Sequence, residues 1–145
     1  MPRIDIVYTV TREFHFCYGH RLLNYNGKCA HPHGHNGKVE ITLASDQLDE
    51  RGMVMDFADL KITVGTWIEK NLDHQMILRK DDPLVSVLTA LNEPMYLMET
   101  NPTAENLARL IYEQTKSLGF PVFYVSFWET GKCMATYRKT DSLEK

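Results

Sequence analysis

The sequence predicts an α+β fold, and three observations carry that expectation. Runs rich in β-branched and aromatic residues stand near both ends of the chain, two helical periodicities lie between them, and turn or cap residues bound each one. Residues 4–18 are the first run, partly alternating, and read as a long strand. Residues 35–44 are the second. Within them Lys38-Val39-Glu40-Ile41-Thr42-Leu43 alternates polar with apolar, as a sheet with one wet face requires, and Ser45-Asp46 and Asp49-Glu50-Arg51-Gly52 supply turns after it. An antiparallel pair is the simplest arrangement of these two. Asp56 can cap a helix over 57–71, in which Phe57, Leu60, Val64 and Trp67 or Ile68 recur at helical spacing before Leu72 closes it. The Pro-containing polar stretch from about 79 to 102 reads as a long loop. Asn101-Pro102-Thr103 then announces a second helix, with Leu107, Leu110, Ile111 and Leu118 facing inward and Gly119 as its stop. Residues 122–128 and 134–137 are strand-like runs separated by Thr130-Gly131-Lys132, which completes the order ββ-α-α-ββ and a four-stranded antiparallel sheet with two helices on one face.

One domain over 1–145 accounts for the length, and 43% hydrophobic with 24% charged residues excludes a disordered or collagen-like chain. A formal charge of -3 speaks against general nucleic-acid affinity resting on phosphate neutralisation, so an anionic substrate must meet a local cluster of cations. No apolar run approaches the ~20 residues that cross a bilayer, and Met-Pro-Arg-Ile-Asp lacks the apolar core of a secretory signal. The expected location is the cytoplasm, where Cys17, Cys29 and Cys133 would be free thiols. Cys17 and Cys133 fall in strand-like apolar surroundings and are expected in the core.

The segment from Gly27 to Asn36 holds three of the six histidines within five residues. His33 and His35 are two apart, so on extended backbone both rings share a face and can aim at one point. Zinc favours imidazole nitrogen, and a catalytic zinc has three protein ligands with a fourth position open, so a distant third histidine is needed. His20, at the end of the first strand, is the natural candidate, with His31 as competitor; Pro32 turns His31 toward a supporting or solvent role. His15 reads as an exposed sheet residue. Cys29 lies four residues before His33, where a thiolate beside zinc or Lys28 acts as base or nucleophile, or else closes the site as a ligand and makes it structural. The Asp73-His74 pair after the first helix can work together when the carboxylate orients the imidazole, although alone it reads as a surface dipeptide. Glu129-Thr130 ends a strand, where a carboxylate can receive paired N–H donors from a planar heterocycle, or simply be solvated.

Seven segments then occur in an ordered set: Phe16 to Leu22 with His20, Gly27-Lys28-Cys29, His33-Gly34-His35-Asn36, Gly52-Met53-Val54-Met55-Asp56-Phe57 with Leu60-Lys61, Leu72-Asp73-His74, Asn101-Pro102-Thr103-Ala104-Glu105-Asn106, and Glu129-Thr130. In that set the chain resembles the 6-pyruvoyl- and 6-carboxy-tetrahydropterin synthase family over nearly its whole length. The resemblance implies the tunnelling fold, a barrel-forming sheet assembled as a homohexamer of two stacked trimers with active sites at subunit boundaries. It implies zinc on His20, His33 and His35, Cys29 as the proton-abstracting thiol, Asp73 and His74 as its partner dyad, and Glu129, with Thr130 beside it, as anchor of the pterin ring. The implied substrate is 7,8-dihydroneopterin triphosphate, for whose phosphates Lys28 is the nearest cation in sequence. Three residues separate Cys29 from His33, as in the bacterial carboxy enzymes, so the expected product is 6-carboxy-5,6,7,8-tetrahydropterin, released with acetaldehyde and triphosphate on the route to queuosine. The pyruvoyl product and a non-catalytic zinc-stabilised binding module are the alternatives. Departures from the family pattern are Gly37, where an aromatic is common and looser ring packing is expected, Leu78-Arg79 in place of Leu-Asn, the longer 79–100 segment, and the extra His31.

Overall fold

The computed structural model describes residues 7–140, so residues 4–6 of the expected first strand and the Met-Pro-Arg-Ile-Asp start lie outside the described residues. Strand β1 is Tyr8–His20 and β2 is His33–Ser45, and they pair antiparallel over their full length, from Tyr8 opposite Ser45 to His20 opposite His33. Alternation does what it should: Phe16, Tyr18 and His20 of β1 are buried while His15 and Cys17, at the alternate positions, are exposed. Cys17 therefore does not pack in the core, and neither does Cys133, which opens the edge strand β6 and is also exposed.

Asp56 caps the first helix by accepting from the Ala58 amide, and the helix continues through 57–71 as α1. Its buried residues Leu60, Val64, Ile68 and Leu72 repeat every fourth position, while Phe57 is exposed. An α-helix turns about 100° per residue, so a strict four-residue repeat drifts by roughly 120° over three steps. The π-turn at Lys61–Gly65 inserts one extra residue and takes up about 100° of that drift, which keeps the four side chains in one line.

The segment from 79 to 100, expected as loop, is ordered. Strand β3, Gln75–Arg79, runs parallel to β1; helix α2, Leu84–Ala90, follows; and β4, Met95–Met98, runs parallel to β3. The segment is anchored by Asp82, whose side chain is fully buried and accepts from both the Arg21 guanidinium and the Leu84 amide. The Arg21 bond holds the Asp82 carboxyl below its ordinary range. Helix α3 is Ala104–Ser117, capped by Thr103, with Leu107 and Ile111 buried, Leu110 half-buried and Leu118 exposed beyond its end. Strands β5, Val122–Thr130, and β6, Cys133–Tyr137, form the closing hairpin.

The sheet therefore has six strands, in the order β4-β3-β1-β2-β5-β6, and is mixed, with two parallel pairings at one side. The four expected strands are its antiparallel part. Phe16, Tyr18, Val39, Ile41, Leu43, Val125 and Phe127 of the sheet share one core with the buried residues of α1 and α3. Gly37 does not loosen it: a Cβ there would stand 2.8 Å from Phe127 Cζ and 3.1 Å from Tyr18 Cε1, so those two rings already fill the place of a larger side chain. No helix among the described residues is long and apolar enough to cross a membrane.

Candidate metal centre and acid-base dyad

At the inner end of the β1–β2 ribbon the register sets His20 opposite His33 and Tyr18 opposite His35, so the three imidazoles converge on one side. Ring centroids are 4.5 Å apart for His20 and His33, 5.1 Å for His20 and His35, and 4.9 Å for His33 and His35. A carboxylate joins them from β5: Glu129 Oε1 lies 2.8 Å from His35 Nε2 and 3.3 Å from His20 Nε2. Donor atoms of His20, His33, His35 and Glu129 all fall within 4.8 Å of one another.

The hydrogen bonds around the rings decide whether this group suits a cation. His20 Nδ1 is 2.7 Å from the Pro102 carbonyl and His33 Nδ1 is 2.7 Å from the His31 carbonyl. A carbonyl cannot donate, so each Nδ1 carries the proton, and each neutral ring presents a lone pair at Nε2. Those two Nε2 atoms face each other at 3.0 Å, an arrangement that repels unless a positive charge sits between them. His35 Nε2 is buried and, although close to Glu129, has no aligned hydrogen-bond partner. Burial lowers the His20 pKa, outweighing the upward pull of the Pro102 bond and Glu129, which favours the neutral, ligand-ready ring. Three imidazole lone pairs and one carboxylate, two of the rings fixed from behind by carbonyls, fit a divalent metal with nitrogen preference.

Support for the cluster comes from residues whose role is not visible from spacing. Asn101 clamps the loop after β1, accepting from the Leu23 amide at 2.9 Å and donating to the Leu23 carbonyl at 2.8 Å, and so presents the next carbonyl, that of Pro102, to His20. His31 contributes through its backbone while its ring is exposed. Glu129, expected as a ring anchor, stands at the fourth side of the cluster. The Tyr18 hydroxyl is buried beside it without a partner, and burial, with Glu129 adding to it, pushes its pKa far up, so it stays protonated.

Cys29 sits half-buried in a 3-10 turn, Lys28–Ala30, pinned when its carbonyl accepts from the Leu22 amide at 2.9 Å. It lines a cavity of about 210 Å³ with His20, Thr103, Glu105 and Glu129. Neither Cys29 nor His31 joins the four-donor group. Lys28 is exposed beside Cys29, and Thr130 is exposed at the strand end, where its hydroxyl accepts from the Lys132 amide.

Asp73 and His74 lie elsewhere. Asp73 Oδ2 is 2.9 Å from His74 Nδ1, its Oδ1 accepts from the Cys17 amide at 3.0 Å, and the His74 amide donates to the Cys17 carbonyl at 2.7 Å. His74 holds a left-handed φ of 59°, a conformation uncommon for a non-glycine residue, and its ring is 79% exposed. With Nδ1 engaged by the carboxylate, Nε2 is left as the base facing solvent. His74 borders a different cavity, about 630 Å³, whose lining includes Cys17, His33, His35, Asn36 and Met76 but neither Cys29 nor Asp73.

The 6-pyruvoyl tetrahydropterin synthase family profile matches residues 9–140. The chain belongs to that family. It is thus an enzyme, a lyase of the pterin synthase type. It is 36% identical over 118 residues to 6-carboxy-5,6,7,8-tetrahydropterin synthase of Rickettsia conorii, covering 80% of this chain and 83% of that one. It is 32% identical to the enzyme of the same name from Aquifex aeolicus, covering 90% and 97%. Among solved structures, an uncharacterised protein of Wolinella succinogenes superposes with a TM-score of 0.79 at 30% identity over 93% of this chain and 99% of that one. The 6-pyruvoyl tetrahydropterin synthase of Caenorhabditis elegans superposes with a TM-score of 0.69 at 27% identity over 97% and 100%.

Proposed function

We propose that this pterin synthase converts 7,8-dihydroneopterin triphosphate and water to 6-carboxy-5,6,7,8-tetrahydropterin, triphosphate and acetaldehyde, the water supplying the second carboxylate oxygen, with zinc held by His20, His33 and His35. The observation that carries the metal reading is the pair of Nε2 lone pairs facing each other at 3.0 Å with Glu129 beside them. The carboxy product is supported by the names of relatives such as that of Rickettsia conorii and by the three residues between Cys29 and His33. Bound zinc polarises the hydroxyls of the substrate side chain and makes them easier to deprotonate.

The chain's own groups do the rest. The Cys29 thiolate takes a proton from the side-chain carbon, since it shares the small cavity with His20 and Glu129. Glu129, with Thr130 next to it, accepts the paired N–H donors of the pterin ring, and its carboxylate is also near enough to the cluster to serve as a fourth donor. Lys28 meets the triphosphate, which leaves by elimination. Asp73 fixes the tautomer of His74, whose free Nε2 delivers or removes the matching proton. Because Cys29 and His74 border different cavities of one chain, the dyad of one subunit serves the cysteine of the next. The edge strands β4 and β6 favour the same assembly, since joining sheets into a barrel covers their unpaired backbone groups, and two stacked trimers make the homohexamer. The enzyme works in the cytoplasm, where its three thiols stay reduced.

The test is incubation of the zinc-loaded protein with 7,8-dihydroneopterin triphosphate and product identification by mass spectrometry, with Cys29→Ala as control. The 6-carboxy product with acetaldehyde is expected. A 6-pyruvoyl product reassigns the branch, and triphosphate release that persists in Cys29→Ala removes the thiol from the mechanism.

A further inference from the structure

We propose that Cys17, Asp73 and His74 form a second metal site, for a thiophilic divalent cation such as Zn2+, on the face of the β1–β2 ribbon opposite the histidine cluster. A thiol sulfur, a carboxylate oxygen and a ring nitrogen from these residues lie within 4.8 Å of one another. An ion with ligand bonds of about 2.0–2.3 Å joins such donors after side-chain adjustment alone. Sulfur, imidazole and carboxylate together select a borderline-soft ion such as zinc over magnesium or calcium.

The backbone has already fixed the group. Cys17 exchanges two hydrogen bonds with the dyad, its amide to Asp73 and its carbonyl from the His74 amide, so the three residues move as one unit. Strand alternation turns the Cys17 side chain away from Phe16, Tyr18 and His20, and its register partner Asn36 away from His35. The thiol therefore donates to Asn36 Oδ1 at 3.0 Å and not into the core. The adjoining cavity of about 630 Å³ leaves room for water to complete the coordination shell. Binding sends the Cys17 thiol proton to solvent, since the thiolate is the ligand form.

One consequence rests on the proposed role of the dyad: an ion held here engages His74 and Asp73 and takes the proton relay out of service. The site and that consequence are separable by experiment. Chelator-treated protein is titrated with Co2+ while the thiolate-to-cobalt charge-transfer absorption is followed. The wild type is expected to bind two equivalents, one with that absorption. Cys17→Ser should bind one equivalent without it, and His33→Ala should lose the other equivalent but keep the absorption. A single equivalent in the wild type, or an absorption that survives Cys17→Ser or vanishes in Cys29→Ala, overturns the site. In turnover assays on zinc-loaded enzyme, further Zn2+ should slow the wild type by roughly 10²-fold, the scale of a lost acid-base group, and spare Cys17→Ser. Equal inhibition of both overturns the regulatory consequence, and if neither turns over the pterin triphosphate, the catalytic reading falls while the cobalt titration still decides the site.

Discussion

On the inward face of the β1–β2 ribbon, His20, His33 and His35 meet in the interior, and two of the rings are oriented by the carbonyls of Pro102 and His31. On the outward face, Cys17 and the Asp73-His74 pair stand at the surface, held by the backbone of the strand they lie beside. The same alternation generates both faces: the Glu129 end of β5 completes the inward group, and the turn that carries Asp73 and His74 completes the outward one. The inward donors all come from one chain, whereas the proposed acid-base chemistry is split: Cys29 opens on one cavity and the His74 imidazole on another.

That contrast can be broken most forcefully at the buried side. Replacing His33 by Ala removes one of the two facing lone pairs while leaving a half-exposed site that still packs; zinc content by atomic absorption should fall by one equivalent, that of the cluster, and turnover to background. Retained stoichiometric zinc at the cluster would show that His33 is not a ligand.

The split itself is sharpened by mixing. Cys29→Ala and His74→Ala proteins should each lose about 10²–10⁴-fold in turnover, as removal of an acid-base group does. Unfolded together and refolded as mixed oligomers, they should regain activity, because some subunit boundaries then carry an intact Cys29 and an intact His74. No recovery in oligomers shown to be mixed would place thiol and dyad in the same subunit's site.

A smaller effect is expected at the anchor of the 79–100 segment. Asp82→Asn breaks the pairing with Arg21 that ties the end of β1 to the β3–β4 segment, and should cost roughly 2–4 kcal/mol in a denaturant melt, at or below the figure for fully buried pairs because Arg21 keeps a water-facing edge. The Asp82 carboxyl is depressed in the folded state, so its stabilisation is present above the ordinary carboxylate value of 3.8 and is lost as pH falls through the lower folded value. Wild-type stability should therefore fall on acidification below about pH 4, and the variant should lose less over the same window.

Legibility from sequence follows the same physics. Long alternating strands announce themselves, so β1, β2, β5 and β6 are close to their expected positions, as are the two capped helices. Strands β3 and β4 are only five and four residues long, and the buried Asp82 that fixes them reads as one more polar loop residue. Cys17 sits among aromatic residues that suggest core, but counting by twos from Phe16 places it outside. The histidine triplet was readable because His33 and His35 share a face and His20 ends the neighbouring strand. Glu129 could not be placed there from spacing, since it stands 94 positions after His35 and only the β2–β5 pairing brings them together. The Pro102 carbonyl carries no side-chain signal at all.

The π-turn in α1 has an evolutionary meaning. A helix that has taken in one residue keeps its buried stripe aligned only while that residue stays, so substitutions along 61–65 change packing locally, but deletion of a single position turns everything beyond it by about 100°. Leu72 would leave the core, and Asp73 and His74, the next two residues, would lose their hold on Cys17. In descendants of this chain the stretch is constrained in length, and at Val64 in packing as well.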